Sequence, residues 1–389
     1  MQLLYTLTSY PPAVGGAQIH QHLLARQMKK NADVQVVSHW NQNRSDWLLG
    51  TTIRAPKRAD NYVIDGIPVH CLGLSPLEKL KMAPLLPIYY PLMRRSLTAI
   101  SSILENHLHP FAEKADLIHN VRIGREGLTA ASLRVARHRD IPFILTPVHH
   151  PRWVGWRYQC YTDLYHQADA IFALTQAEKQ ILIDLQVEPE RIYVIGHGPV
   201  VLETYNAEAF RLKYKIEDPI VLFLGQHYEY KGYHQVLEAT QLVWQKHPNT
   251  HFVFVGPAVK DSEKAFMLNP DARIHRLGQV DLQEKTNALA ACSFLCLPST
   301  QESFGGVYTE AWMFKKPVIG CNIPAVAEVV DNGINGFLIQ QTPKQISQSI
   351  LKLLDNPDLA SSMGAKGYEK VQKFYTWSVI EQKAKAAYN

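Results

Sequence analysis

The sequence has no run of about 18 apolar residues, so no stretch of it has the length of a membrane-crossing helix. It has no Cys-x-x-Cys pair. Its five cysteines, Cys71, Cys160, Cys292, Cys296 and Cys321, are an odd set. That argues against a disulfide framework or a zinc ribbon and fits a reduced, cytoplasmic setting. Cys292 and Cys296 are expected to share one strand. No Asp-x-Asp occurs, so the simplest carboxylate pair for holding a divalent cation is missing. His20 and His22 stand two apart on an expected helix, point in different directions, and make no metal pair. There is no internal repeat and no low-complexity tract. The N-terminus is apolar but lacks a basic region and a cleavage site, so it reads as a first strand and not as a signal peptide.

What is present is 389 residues, 46% of them hydrophobic. At roughly 150 residues per domain, that length predicts two or three domains with ordinary cores. Charge is uneven: residues 1–200 carry 21 Lys/Arg against 16 Asp/Glu, whereas 201–389 carry 19 of each. A basic first half suits an anionic lipid surface or an acidic acceptor; an incidental solvated surface is the competing reading.

Apolar strands alternate with helical patterns throughout, which predicts parallel sheets. Gln2 to Thr8 reads as a strand, the loop to Gln18 holds Gly15 and Gly16, a helix runs to about Lys30, and Val34 to Ser38 is the next strand. Asn61 to Cys71 reads as a hairpin turning at Asp65-Gly66. Ser75 to Arg95 mixes Leu, Met and Tyr with Lys79, Lys81, Arg94, Arg95 and prolines. One reading is a membrane-surface or acceptor-side segment; the other is a loop packed on the domain, with a helix starting near Pro91. Strands at Asp116–His119 and Pro142–Thr146 follow, the second ending in His149-His150-Pro151. Gly196-His197-Gly198 reads as a linker turn. The alternation restarts at Pro219–Leu224, followed by a loop with Gly225, Gln226 and Lys231, and by strands at His251–Val255, Arg273–Leu277 and Cys292–Leu297.

The most informative stretch is Ser299 to Ala311. It leaves a buried strand and opens a helix at Gly305-Gly306, running to about Phe314. Unpaired amides at a helix start seat anions, and two glycines let a large group come close. Glu302 and Glu310 flank that seat. An anion between two acids suggests phosphates with hydroxyl-bearing groups on both sides.

Glu302-Ser-Phe-Gly-Gly-Val-Tyr-Thr-Glu310, with Lys316-Pro-Val-Ile and Glu328 to Gly336 after it, resembles the E-x7-E signature of the family-4 (group 1) retaining glycosyltransferases. The likeness runs over nearly the whole chain, most closely in the second half. It implies an α/β protein of the GT-B fold, two Rossmann-like doubly wound domains facing across a cleft. The N-terminal, acceptor-side domain is expected at 1–200 and the nucleotide-sugar domain at 201–375. A closing helix at 376–389 is expected to pack back on the first domain.

The implied reaction moves a hexose from a nucleotide-diphosphate sugar, with a UDP-sugar the expected donor, to a hydroxyl acceptor on a glycolipid, polysaccharide or small glycoside. No cofactor, no metal and no nucleic acid are expected; peripheral contact with an anionic membrane is. Lys231 and the amides of Gly305, Gly306 and Val307 are implied to meet the diphosphate. Glu310 is implied to hold the ribose, and Glu302 the hexose with a share in catalysis. Gly15, Gly16, Gln226, Ser303 and Phe304 complete the donor site, and His150, with His149 as alternative, is the cleft histidine. Two departures stand out. Gln18 replaces the family's usual Glu, and Gln226 stands where an Arg usually pairs with the lysine, leaving Arg152, Arg157 or His227 as substitute cations. The alternatives are a nucleotide-sugar-binding relative with little turnover, and another GT-B enzyme, an epimerase or a phosphorylase.

Overall fold

The computed structural model describes residues 1–13, 15–42, 44, 46–121, 127–149, 153 and 155–388. The chain divides into two compact units, Met1–Gly196 with Trp377–Asn389, and His197–Thr376.

In the first unit the strands are β1 (Gln2–Ser9), β2 (Asp33–Trp40), β3 (Asp60–Ile64), β4 (Ile67–Cys71), β5 (Leu117–Val121), β6 (Phe143–Thr146), β7 (Ala170–Ala173) and β8 (Ile192–Val194). They form one sheet in the order β3-β4-β2-β1-β5-β6-β7-β8. Only β3 and β4 pair antiparallel. They meet at Asp65-Gly66, whose φ angles of 50° and 72° are those of a tight hairpin turn. Helices cover both faces, so strand interiors read as unbroken apolar runs. In β1, Leu4 packs on one side with the helices Met93–Ala112 and Gly127–Arg139. Leu3, Tyr5 and Leu7 pack on the other with the helix Gly16–Met28 and with Ile380, Ala384 and Tyr388 of the helix Trp377–Tyr388. That last helix is fixed by more than apolar contact: the Tyr388 hydroxyl lies 2.7 Å from His119 Nδ1 and 3.2 Å from the Tyr5 hydroxyl, all buried.

The second unit contains β9 (Ile220–Leu224), β10 (His251–Val255), β11 (Ile274–Gly278), β12 (Phe294–Leu297), β13 (Val318–Cys321) and β14 (Gly336–Ile339), all parallel, in the order β11-β10-β9-β12-β13-β14. The chain winds outward from β9 in one direction and returns beside it as β12, which makes β9/β12 the topological switch point. In open α/β sheets ligands bind outside the carboxyl ends of the strands at such a point.

One strand boundary departs from expectation. Cys292 is not in the strand with Cys296: it ends the helix Leu282–Ala291, its amide bonded to Ala288 O and its thiol to Leu289 O. The expected apolar run was the join of a helix end and a strand. All five cysteines are buried, and none of them forms a disulfide. Among the described residues no helix is long and apolar enough to cross a membrane.

Candidate functional site

The loops after β9 and β12 are stapled together at the switch point. Tyr230 O accepts the amide of Thr300 at 2.8 Å and Gln341 Nε2 at 3.0 Å, and Gln341 also donates to Pro298 O at 2.7 Å. Gly232, at φ 81°, closes the first loop; a side chain there would press its Cβ to 2.7 Å from Pro298 O. This stapling brings Lys231 and Glu302, 71 positions apart, to 2.5 Å between Nζ and Oε1. Their side chains stay 17% and 12% exposed, so both heads border the surface.

The helix Gly306–Met313 starts directly after that loop. Gly305 caps it at φ 83°, a left-handed conformation that suits glycine. A Cβ there would lie 2.5 Å from the Tyr308 ring, and that ring is held because the Tyr308 hydroxyl donates to Leu297 O at 2.8 Å. The first amides of a helix have no partner within it, so those of Gly306 and Val307 are presented at the carboxyl edge of the sheet. Ser303 is half-buried. Phe304 is buried, stacked on His197 with ring centroids 5.8 Å apart and edge-on to Tyr375. That packing holds the loop in place.

Glu310 is 5% exposed. One carboxylate oxygen takes a bond of 2.9 Å from Lys285 Nζ, and the other, Oε2, has no hydrogen-bond partner among the described residues. Burial raises its pKa, opposed first by Lys285 and then by the backbone amide of Val200. A buried, half-satisfied carboxylate is costly unless something else completes it.

Gln226 is exposed in the first loop. His227 next to it is not a substitute cation. Its ring is wholly buried among Phe223, Tyr233, Phe254 and Phe266, and burial, then the charge of Arg276, pushes its pKa down to about 4. Arg157 lies in the first unit, its guanidinium over Tyr90 and Trp156, and Arg152 is outside the described residues.

In the first unit Gly15 and Gly16 stand at the start of the helix that follows β1, with open space beside Gly16. Gln18 is buried and donates to Ser9 Oγ at 2.9 Å. His150 lies outside the described residues. His149 is buried, with Nδ1 3.1 Å from the Tyr165 hydroxyl and its amide bonded to Glu178 Oε1 at 2.6 Å. Val148 before it sits at φ 48°, strained for a β-branched residue. The 75–95 segment is helical over Pro76–Met82 and Ala83–Leu85 and again from Met93, with turns between. Leu77, Leu80, Ile88 and Leu92 are exposed, whereas Met82 and Tyr89 are buried. Arg94 is taken up by Asp163 at 2.8 Å.

Two residues of this geometry were not expected from the sequence. Lys285 lies on a different helix from Glu310, 25 positions away, and only the fold joins them. His197 belongs to the supposed linker turn, yet its ring lies 3.5 Å from where a Cβ on Gly306 would be.

Comparison with known proteins bears on all of this. The family described as Glycosyl transferases group 1 matches residues 206–370, and the Glycosyl transferase 4-like domain matches 15–198. An uncharacterized glycosyltransferase of Methanocaldococcus jannaschii is 26% identical over 278 residues, 68% of this chain and 72% of its own. The phosphatidyl-myo-inositol mannosyltransferase of Mycobacterium tuberculosis is 30% identical over 190 residues, 47% of this chain; the match spans half of that relative's length. Among solved structures, Anabaena HepE in complex with UDP and glucose superimposes with a TM-score of 0.76 at 19% identity, over 99% of this chain and 98% of HepE. The fold is therefore GT-B.

Proposed function

This chain belongs to the group 1 glycosyl transferases, and from that premise we propose that it moves a hexose from a nucleoside-diphosphate sugar to a hydroxyl acceptor with retention of configuration. The observation that carries the reading is the group at the β9/β12 switch point: a lysine, an open helix start and two acids within one unit. Breaking the C1–O bond places negative charge on the departing diphosphate. Lys231 and the amides of Gly306 and Val307 are pre-aimed donors for it, the kind of stabilisation that costs no reorganisation during reaction. Glu310 Oε2, buried and unpartnered, suits a ribose hydroxyl. Glu302 suits the hexose hydroxyls once a phosphate oxygen replaces it on Lys231. Roles for Gly15, Gly16 and His150, on the first unit, rest on the family resemblance alone. UDP and glucose in HepE favour a UDP-sugar as donor. The mycobacterial relative's name favours a lipid-linked acceptor, and exposed Leu77, Leu80, Ile88 and Leu92 beside Lys81 and Arg95 suit peripheral contact with anionic lipid.

Thermal shift with UDP-, GDP- and ADP-sugars tests the donor. A UDP-sugar is expected to raise the Tm, and Lys231→Ala to abolish the rise; no response to any of them rejects the reading. A second reading has specific support: exposed Gln226 and hydrogen-bonded Gln18 stand where the family usually places charges, which fits a nucleotide-sugar binder with little turnover. Donor binding without nucleoside diphosphate release, across a panel of hydroxyl acceptors and anionic vesicles, would favour it.

A further inference from the structure

Three side chains on the far edge of the first unit converge in a way the transfer reaction does not use. Glu105 and His109 are one turn apart on the helix Met93–Ala112, so they share a face. His138 reaches them from the last turn of the helix Gly127–Arg139. Glu105 Oε1 lies 3.5 Å from His109 Nε2 and 2.5 Å from His138 Nδ1. One donor atom from each residue lies within 4.8 Å of the other two. The imidazole planes are nearly parallel, 4° apart, with centroids 6.3 Å apart.

The carboxylate divides its two oxygens. Oε1 faces both histidines, while Oε2 takes the Nε of Arg134 at 2.6 Å. An oriented carboxylate with one oxygen left for a ligand, and a hydrogen-bonding partner behind it, is how ligating carboxylates are held. We propose that Glu105, His109 and His138 form a site for a borderline transition-metal cation, Zn²⁺ foremost, with solvent in the remaining position.

The donor set selects the metal class. Two imidazoles and one carboxylate suit zinc and disfavour Mg²⁺ and Ca²⁺, which take oxygen. Tetrahedral zinc at about 2.0–2.1 Å from each donor sets its donors roughly 3.3 Å apart. The side chains of His109 and His138 are 43% and 57% exposed, free to swing to that spacing, and Glu105 at 7% is the fixed point. The charge of Arg134 opposes the cation and limits affinity. The site joins the ends of two helices just before they hand over to β5 and β6, at the amino edge of the sheet. The strand-end loops lie at the opposite edge, so the metal would clamp structure and take no part in transfer.

The test uses the full chain, tag-free, titrated with zinc chloride and, as the hard-cation control, magnesium chloride. Calorimetry is expected to show one zinc per chain, and the Tm to rise by about 5–10 °C at a hundredfold excess over Kd, with no response to magnesium. His138→Ala and His109→Ala, both at exposed positions, are expected to lose uptake and keep basal transfer. Cobalt is expected to give the intense visible absorption of a tetrahedral site in the parent only. No saturable zinc uptake, or uptake unchanged in both variants, would overturn the proposal and leave two histidine–carboxylate contacts only.

Discussion

Replacing Lys285 by Met keeps the stem and removes the charge that faces Glu310. Glu310 is 5% exposed and holds one bond of 2.9 Å from that ammonium, with its other oxygen unpartnered. Breaking a buried pair by removing one partner costs about 3–5 kcal/mol. Here the Lys285 side chain is 19% exposed, and the carboxylate can escape by taking a proton. About 2 kcal/mol at pH 8 is therefore the reasonable figure, or about 4–8 °C in Tm for a unit of this size. The sign with pH follows from the raised pKa of Glu310. A carboxyl whose folded pKa lies above its unfolded value contributes stability at low pH and loses it as pH rises through the folded value. Without Lys285 the folded pKa climbs further, so the deficit must widen from pH 5 to pH 8. Lys285→Met combined with Glu310→Gln, which cannot ionise, is expected to recover most of the loss at pH 8. Thermal denaturation at both pH values is the assay, with donor titration beside it, where the KM for the donor should rise at least tenfold. A Tm within 1 °C of the parent at pH 8, or a loss of equal size at both pH values, would refute the reasoning.

Lys231→Ala is expected to lower turnover at least tenfold with a cooperative melt retained, since its partner Glu302 borders solvent; steady-state rates and a melting curve check it. Glu302→Gln frees Lys231 from its 2.5 Å contact and removes an acid near the diphosphate, so UDP should bind several-fold tighter while transfer falls; calorimetry showing weaker UDP binding would contradict that. Gly305→Ala must place a Cβ against Tyr308 at φ 83°, and an added Cβ in the left-handed region costs roughly 1 kcal/mol or more; a lower Tm and weaker donor binding are expected together. Burial pushes Glu178 up to about 7 against the bonds it accepts from the amides of Leu174 and His149, so the parent should lose stability as pH rises from about 4.5 through 7. Glu178→Gln should flatten that slope between pH 5 and 8 in thermal melts; an unchanged slope would remove Glu178 as its source.

The fold was legible because its signals are local. Each expected strand of the second sheet was bounded by Gly, Pro or a helix pattern, and the Asp65-Gly66 turn announced its own hairpin. Glu302, Gly305 and Glu310 were legible as a spaced string on one loop and one helix. The partners of those acids were less so. Lys231 could be placed at a strand end, but the 2.5 Å contact depends on Tyr230 O accepting Thr300 and Gln341. Lys285 follows a capped helix start at Asp281, with Glu284 just before it, and reads as an ordinary surface lysine. Only the packing of its helix beside Gly306–Met313 turns it towards Glu310. His227 misled in the opposite sense: its loop position suggested a cation, while the aromatic residues around it come from four separate elements and make it neutral.

The site thus draws its charges in pairs before any ligand arrives, and the pairs differ in kind. Lys231 and Glu302 border solvent, so their contact is cheap to exchange: a phosphate oxygen can take the lysine while the acid turns to another hydroxyl. Lys285, 19% exposed, reaches solvent much as Lys231 does, but Glu310 is buried at 5%, so losing its one cation is costly, and the unsatisfied oxygen is fixed in direction by the cation that holds its twin. An exchangeable pair suits a group whose charge changes during reaction. A fixed pair suits one that must be recognised identically before and after it. A departing diphosphate and a ribose make those two demands; the first pair meets because β9 and β12 are neighbours at the switch point, the second because the helix Leu282–Ala291 packs beside Gly306–Met313.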